Sequence, residues 1–337
     1  MNRLRYLLLS LLLGAMVVLP SCRKEEEIIP SNKVRVGVPG RPGKIKGFFL
    51  LNEGNMGSNK STLDYYDYTT AFYTRNIYAE RNPNVVKELG DVGNDLQIYG
   101  NRLYAVINVS HLIEVMDVRT AKHIGKIPIP NCRYIVFKDG FAYVSSYAGP
   151  VQIDPNARLG YVAKIDTATL QVVAECPVGY QPDELVISGD KLYVANSGGY
   201  RAPNYDKTIS IIDLKTFTEE KKVNVAINLH RLELDNYGKI WVSSRGDYYE
   251  VPSKIFVFDP KTEQVTKTLD VSCSNMMLAG DSLFVYSTEW SYITAANTIS
   301  YTIIDTKSQE VIDRNFIKDG TDKEIQLPYG LAINSEQ

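Results

Sequence analysis

Histidine is scarce in this chain. Three imidazoles, His111, His123 and His230, are spread over 337 residues and fall in separate segments. That spacing offers neither a zinc site nor a nucleophile–imidazole–acid relay. Cysteine is also sparse: Cys22, Cys132, Cys176 and Cys273 are the four, and none has a neighbour at metal-ligand spacing. Charge of one sign is missing too. The 37 Lys and Arg nearly balance the 39 Asp and Glu, for a net charge of −2. Such a balance removes the electrostatic case for nucleic acid. No glycine-rich phosphate loop is present, and no motif for a bound quinone. The apolar run LLLSLLLGAMVV is shorter than a membrane-spanning helix needs.

What the chain has instead is repetition. A short β run such as FAYVSSYAG (Phe141–Gly149), KLYVANSGG (Lys191–Gly199) or KIWVSSRGD (Lys239–Asp247) recurs. A strand ending in acid plus Thr or Lys follows, as in AKIDTAT, SIIDLKT, FVFDPKT and TIIDTKS. A third strand comes next, then a fourth that ends in a glycine turn: ELVISGD, RLELDNYG, MMLAGD. Four short strands repeated every 40 to 50 residues or so are the signature of a β-propeller. The fold class expected is therefore all-β, with four-stranded blades. Labelling the strands A (innermost) to D, B strands fall near Phe48, Leu103, Tyr143, Leu192, Ile240 and Leu283. A strands are expected at 94–99, 132–138, 183–188, 229–235, 275–279 and 329–334. The 23 Tyr are in excess, and many belong to strands.

The first 22 residues read as a secretory signal: Arg3 and Arg5, the apolar run, then LPSC. LPSC resembles a bacterial lipobox, in which Cys22 would become the lipidated N-terminus. Lys24-Glu25-Glu26 resembles the acidic signal that sends Bacteroidetes lipoproteins to the outer cell face. Residues 23–46, with Pro30, Pro39 and Pro42, read as a flexible tether. The propeller is then expected over 47–337. Cys132, Cys176 and Cys273 are an odd set after lipidation. They are expected as small buried hydrophobes rather than a disulfide.

The units PDELVISGDKLYVANSGG and SIIDLKTFTEEKKVNV resemble the YVTN-type repeats of YncE-like propellers. The opening FFLLNEGNMGSNKSTLDYYDY, the stretch ELGDVGNDLQIYGNRLYAVINVSHLIEVMD and the closing LPYGLAIN resemble a narrower group of Bacteroidetes surface lipoproteins. That group includes the BtuG-type vitamin B12 capture proteins. The resemblance implies seven blades, whereas six repeats are visible, at spacings of 55, 40, 49, 48 and 43 residues. Two closures are open. The strand at 329–334 completes blade one in a six-bladed ring, or the chain stops at the start of a seventh blade, the expectation adopted.

Antiparallel order puts the B–C and D–A loops on one face. The tight turns of the other face are generic. The long inserts are all B–C loops: NEGNMGSNKS, SYAGPVQIDPNARLG, NSGGYRAPNYDK, SRGDYYEVPS and STEWSYITAAN. Irregular loops on a rigid scaffold are where binding residues concentrate. Candidate ligand-binding residues there are Asn52, Glu53, Asn55, Tyr147, Arg201, Tyr205, Arg245, Asp247, Tyr248, Trp290 and Tyr292. An inner rim adds Asp95, Arg133, Asp183, His230, Arg231 and Tyr329, near the starts of A strands. Tyr and Trp offer rigid apolar area with a polar handle. Taken singly, each of these residues also reads as a blade cap or a solvated charge.

These readings point to a non-enzymatic binding protein. The resemblance implies vitamin B12 (a cobalamin) as ligand, carried as cargo rather than cofactor, and a TonB-dependent outer-membrane transporter as partner. It also implies an outer-membrane lipoprotein exposed at the cell surface. A protein-interaction or cell-envelope scaffold is the alternative. A calcium-dependent hydrolase, with Glu53, Asn94, Asp183 and Asn275 about the axis, is the third reading.

Overall fold

The computed structural model describes residues 29–40, 43–85, 88–317 and 328–333. They form six four-stranded antiparallel sheets arranged as the blades of a β-propeller. Blade two is β5 (Gly93–Tyr99), β6 (Arg102–Ile107), β7 (Leu112–Asp117) and β8 (His123–Pro128). Blade three is β9 (Cys132–Lys138), β10 (Phe141–Ser146), β11 (Tyr161–Asp166) and β12 (Gln171–Pro177). Blade four is β13 (Pro182–Ser188), β14 (Lys191–Asn196), β15 (Thr208–Asp213) and β16 (Thr218–Asn224). Blade five is β17 (Leu229–Leu234), β18 (Ile240–Ser244), β19 (Lys254–Asp259) and β20 (Gln264–Leu269). Blade six is β21 (Asn275–Ala279), β22 (Ser282–Ser291), β23 (Ala296–Asp305) and β24 (Glu310–Asp313). The five expected A strands between residues 94 and 279 are thus present to within one residue at each end.

Blade one departs from the pattern. It holds β1 (Asn32–Arg35), β2 (Gly47–Asn52), β3 (Thr62–Asp67) and β4 (Phe72–Arg75), in the order β1-β4-β3-β2. Its additional strand, β1, is therefore outermost, beyond β4, rather than innermost beside β2. Residues 32–35, expected in the tether, pair with β4 from Asn32↔Arg75 to Arg35↔Phe72. The strand expected at 329–334 is not formed: residues 328–333 are irregular, and Asn334 lies outside the described residues. That segment instead lies against blade six, where the Tyr286 hydroxyl donates to the Tyr329 carbonyl. The insert STEWSYITAAN, expected as a loop, continues the β22–β23 ladder out to Ser291↔Ala296. It is a projecting hairpin.

The acid–Thr motif has a structural role. Asp117, Asp166 and Asp213 each close a C–D turn. In each, the Oδ1 accepts the N–H groups two and three residues on, as Asp213 does from Lys215 and Thr216, both at 2.8 Å. Such side-chain turns favour Asp over other residues. The turns end in a left-handed residue, Ala121, Leu170 or Phe217.

Apolar side chains fill the spaces between blades, in five cores. Leu63, Leu103 and Ile107 join blades one and two. Val106, Val115, Ile135 and Val144 join two and three. Val162, Leu185 and Leu192 join three and four, and Ile209, Leu232 and Val242 join four and five. Trp241, Val257, Leu283 and Val285 join five and six. Among the described residues no such core joins blade six to blade one. Phe48 and Leu50, on the face of β2 opposite the core-packed Phe49 and Leu51, are each 40% exposed. Burying a side chain of this size contributes roughly 1.5–3 kcal/mol, so the five cores carry the fold. Cys132, Cys176 and Cys273 are buried free thiols within or beside them, as expected. No described helix is long and apolar enough to cross a membrane.

Candidate functional site

The long loops are anchored by a device repeated in blades three, four and five. Asn131, Gln181 and Asn228 stand immediately before β9, β13 and β17, with φ of 48°, 46° and 53°. Their carbonyls accept the N–H of Tyr147, Ser197 and Arg245, where the B–C loops begin. Their side chains reach further into the same loops. Asn131 Nδ2 donates to the Gly149 carbonyl, Gln181 Oε1 accepts from Tyr200 N at 2.7 Å, and Asn228 Nδ2 donates to Gly246 O at 2.9 Å. A serine ends the preceding strand region. Ser146, Ser197 and Ser244 donate to the carbonyls of Pro130, Gln181 and Ile227, and accept from Ala148, Gly199 and Gly246 N–H. The loop bases are fixed before any ligand arrives.

Inside this frame the A strands bring polar side chains to the axis. Asp183 is fully buried. It accepts from Tyr147 Oη at 2.7 Å and Arg133 Nε at 3.2 Å on Oδ1, and from Arg245 Nη1 at 3.4 Å on Oδ2. Arg245 Nη2 also donates to His230 Nε2 at 2.8 Å, and Tyr134 Oη lies 3.0 Å from the same nitrogen. A guanidinium only donates, so Nε2 is the acceptor and Nδ1 carries the proton. Burial, then the three surrounding arginines, hold His230 well below the ordinary imidazole range. Its Nδ1–H is buried without a partner, as is Asn228 Oδ1. Arg133 and Arg231 both lie over the Tyr134 ring, at 5.9 and 5.0 Å from its centroid.

Beneath this layer are acids. Glu184 pairs with Arg231 Nη1 at 3.3 Å and accepts Leu232 N at 2.8 Å. Burial pushes its carboxyl up to about 7. Glu233 is pushed up to about 8, by burial and then by Glu184. Asp95, raised by burial, accepts Ile135 N at 3.0 Å. Glu53 is raised by burial and drawn back by Arg133, which places it near the same charges. Five predicted residues thus form one connected network: Tyr147, Asp183, Arg133, Arg245 and His230. Both Asp183 oxygens are taken by donors, which argues against its service in a calcium site.

The other candidates lie elsewhere. Arg201 is held by its own surroundings, stacked 3.6 Å from the Tyr180 centroid with Nη1 on Asn204 O and Nη2 on Pro155 O. Asp247 caps its loop, accepting from Tyr249, Glu250 and Val251 N–H. Tyr249 and Tyr292 stack at 5.2 Å, with Trp290 edge-on to Tyr292 at 6.1 Å. The Tyr248 carbonyl accepts from the Tyr292 N–H at this aromatic tip, and Tyr205, its hydroxyl raised by burial and then by Tyr248, Asp247, Tyr249 and Tyr292, lies nearby. On blade one, Asn52 Nδ2 donates to Thr62 Oγ1 and the Glu53 carbonyl accepts from Ser61 Oγ. The Asn55 carbonyl accepts from Ser58. Tyr329 is 73% exposed and contributes only its backbone carbonyl. Cys22 lies outside the described residues.

A cavity of about 550 Å³ opens beside the network. Its wall includes Tyr147, Pro150, Asp154, Arg158, Gln181 and His111. Sequence reasoning missed Gln181 and His111 as parts of a site. For Gln181 the available signal was the amide that recurs before the A strands of blades three, four and five.

Residues 46–334 match a family described as Domain of unknown function (DUF5074). The chain belongs to the DUF5074 family. Among solved structures, this DUF5074 chain is similar to the hydrazine synthase of Kuenenia stuttgartiensis, at 19% identity and a TM-score of 0.53. The alignment covers 64% of this chain and 62% of that one. At that identity the likeness is one of fold. No curated protein matches the chain.

Proposed function

We propose that this DUF5074 propeller is a non-enzymatic ligand-binding protein that captures a small molecule on its loop face. The observation that carries the reading is the pinned loop face around the Tyr147–Asp183–Arg245–His230 network. Side chains already held in place lose little entropy on binding, so a polar ligand gains affinity from pre-set partners. The lipobox-like LPSC and the BtuG-type resemblance extend the proposal. The chain would be lipidated at Cys22, displayed at the cell surface, and would pass its ligand to a TonB-dependent outer-membrane transporter. Vitamin B12 is the leading ligand. A corrinoid is broad, amide-fringed and phosphate-bearing, and the face offers tyrosine, asparagine and arginine in kind. Calorimetry with cobalamin is expected to give saturable binding. The absence of both binding heat and a thermal shift with cobalamin would rule out that ligand and leave the fold assignment untouched.

The exposed tip favours a second reading. Tyr249 and Tyr292 are each 60% exposed and Ile293 69%. Such a projection suits a polypeptide partner. Recovery of a stoichiometric protein partner with the native lipoprotein, without small-molecule binding, would favour the scaffold role.

A further inference from the structure

The cavity beside Tyr147 has a chemistry of its own. Part of its lining gives donors. His111 Nδ1 accepts the Asn131 N–H at 3.0 Å, so its proton sits on Nε2 and that N–H is the ring's free end. Gln181 has its Oε1 engaged by Tyr200 N, which leaves its amide hydrogens as donors. Arg158 is anchored through Nη2 on the Ala148 carbonyl, and its other guanidinium donors remain. The opposite character comes from Asp154. Its Oδ1 accepts from Asn156 N at 2.9 Å, which leaves the second oxygen as an acceptor. Asp154 is itself fixed, since its N–H donates to Tyr200 O at 2.8 Å. The lining also includes the apolar surfaces of Pro130, Ala148, Pro150 and Ala157.

A purely anionic ligand would face Asp154, and a purely cationic one would face Arg158. We propose that this cavity binds a compact zwitterion, a free amino acid or short peptide, its carboxylate on Arg158 and the His111 Nε2–H and its ammonium on Asp154. The cavity's volume lies within the range of small-molecule sites and exceeds what a single small amino acid fills. A dipeptide, with an apolar middle against the proline and alanine surfaces, matches the lining best. The Tyr147 ring is the shared wall between this cavity and the axis. The proposal rests on the loop face being a binding face, but not on a corrinoid being its ligand.

The test is a thermal-shift screen of the full chain against the common L-amino acids and their alanyl dipeptides, with calorimetry on those that respond. At least one zwitterion is expected to bind. Arg158→Gln should weaken it about ten-fold or more, the loss of a charge-assisted bond. Asp154→Asn should weaken the free dipeptide but not its N-acetyl form. Arg158 is exposed and Asp154 half-buried, and folding of the variants is checked by unchanged circular dichroism. Binding by no member of the set, or binding indifferent to both substitutions, would overturn the proposal. Cobalamin is titrated in parallel: if it binds all variants alike while no dipeptide binds, this pocket is removed and surface capture stands. The converse result supports the pocket and removes the corrinoid.

Discussion

Glu233 and Glu184 show what burial does to single side chains at the propeller axis. Their carboxyls rise from an ordinary 4.5 to about 8 and about 7. In the folded state they hold protons that the unfolded chain gives up above its ordinary value. The stability they contribute is full below about 4.5 and is lost as pH rises through 7 and then 8. The turn aspartates act the other way: Asp117, Asp166 and Asp213 are held below the usual carboxylate range by side-chain and backbone donors. Their contribution is lost as pH falls. Urea melts at about pH 5 and about pH 9 are expected to show lower stability at the upper end, with Glu233→Gln shrinking the difference. An unchanged difference in the variant would show that Glu233 ionises freely. The sequence placed Asp183, Arg133, His230 and Arg231 on an inner rim, because alternation along an A strand is legible. It did not distinguish Glu233, whose rise depends on burial and then on a carboxyl from the neighbouring blade.

Among the elements, local signals were read well and distant pairings poorly. The acid–Thr turn is encoded within four residues, so its place is visible in the sequence. β1 pairs with a strand that arrives much later, and NKVR has little hydrophobic alternation to announce it. The outer end of the β22–β23 hairpin reads as a loop in the sequence because it is largely polar and exposed, and its pairing needs only the partner backbone. The serine that ends the B-strand region stood in plain view in YVSSYAG, YVANSGG and WVSSRGD, yet its bonding did not. Ser244→Ala removes one bond to Ile227 O and one from Gly246 N. A loss of about 1–3 kcal/mol is expected from the unsatisfied groups. Guanidinium chloride unfolding would measure it. Ligand affinity should fall as well, because the loop carrying Arg245 is no longer pinned.

At the scale of the molecule, stability is a sum over neighbours, as in other repeat architectures. Blades two to five are cored on both sides, whereas among the described residues blades one and six are cored on one. Native-state hydrogen exchange is expected to show the greatest protection in β10 and β14 and the least in β2 and β23. Equal protection throughout would mean that the blades open as one unit.

Five cores for six blades also have a geometric meaning. A closed ring fixes its aperture, because a turn at one contact must be undone at another. Where one blade-to-blade contact has no apolar core among the described residues, a small rotation at any of the other five can be taken up there, so a change of aperture would concentrate between blades six and one.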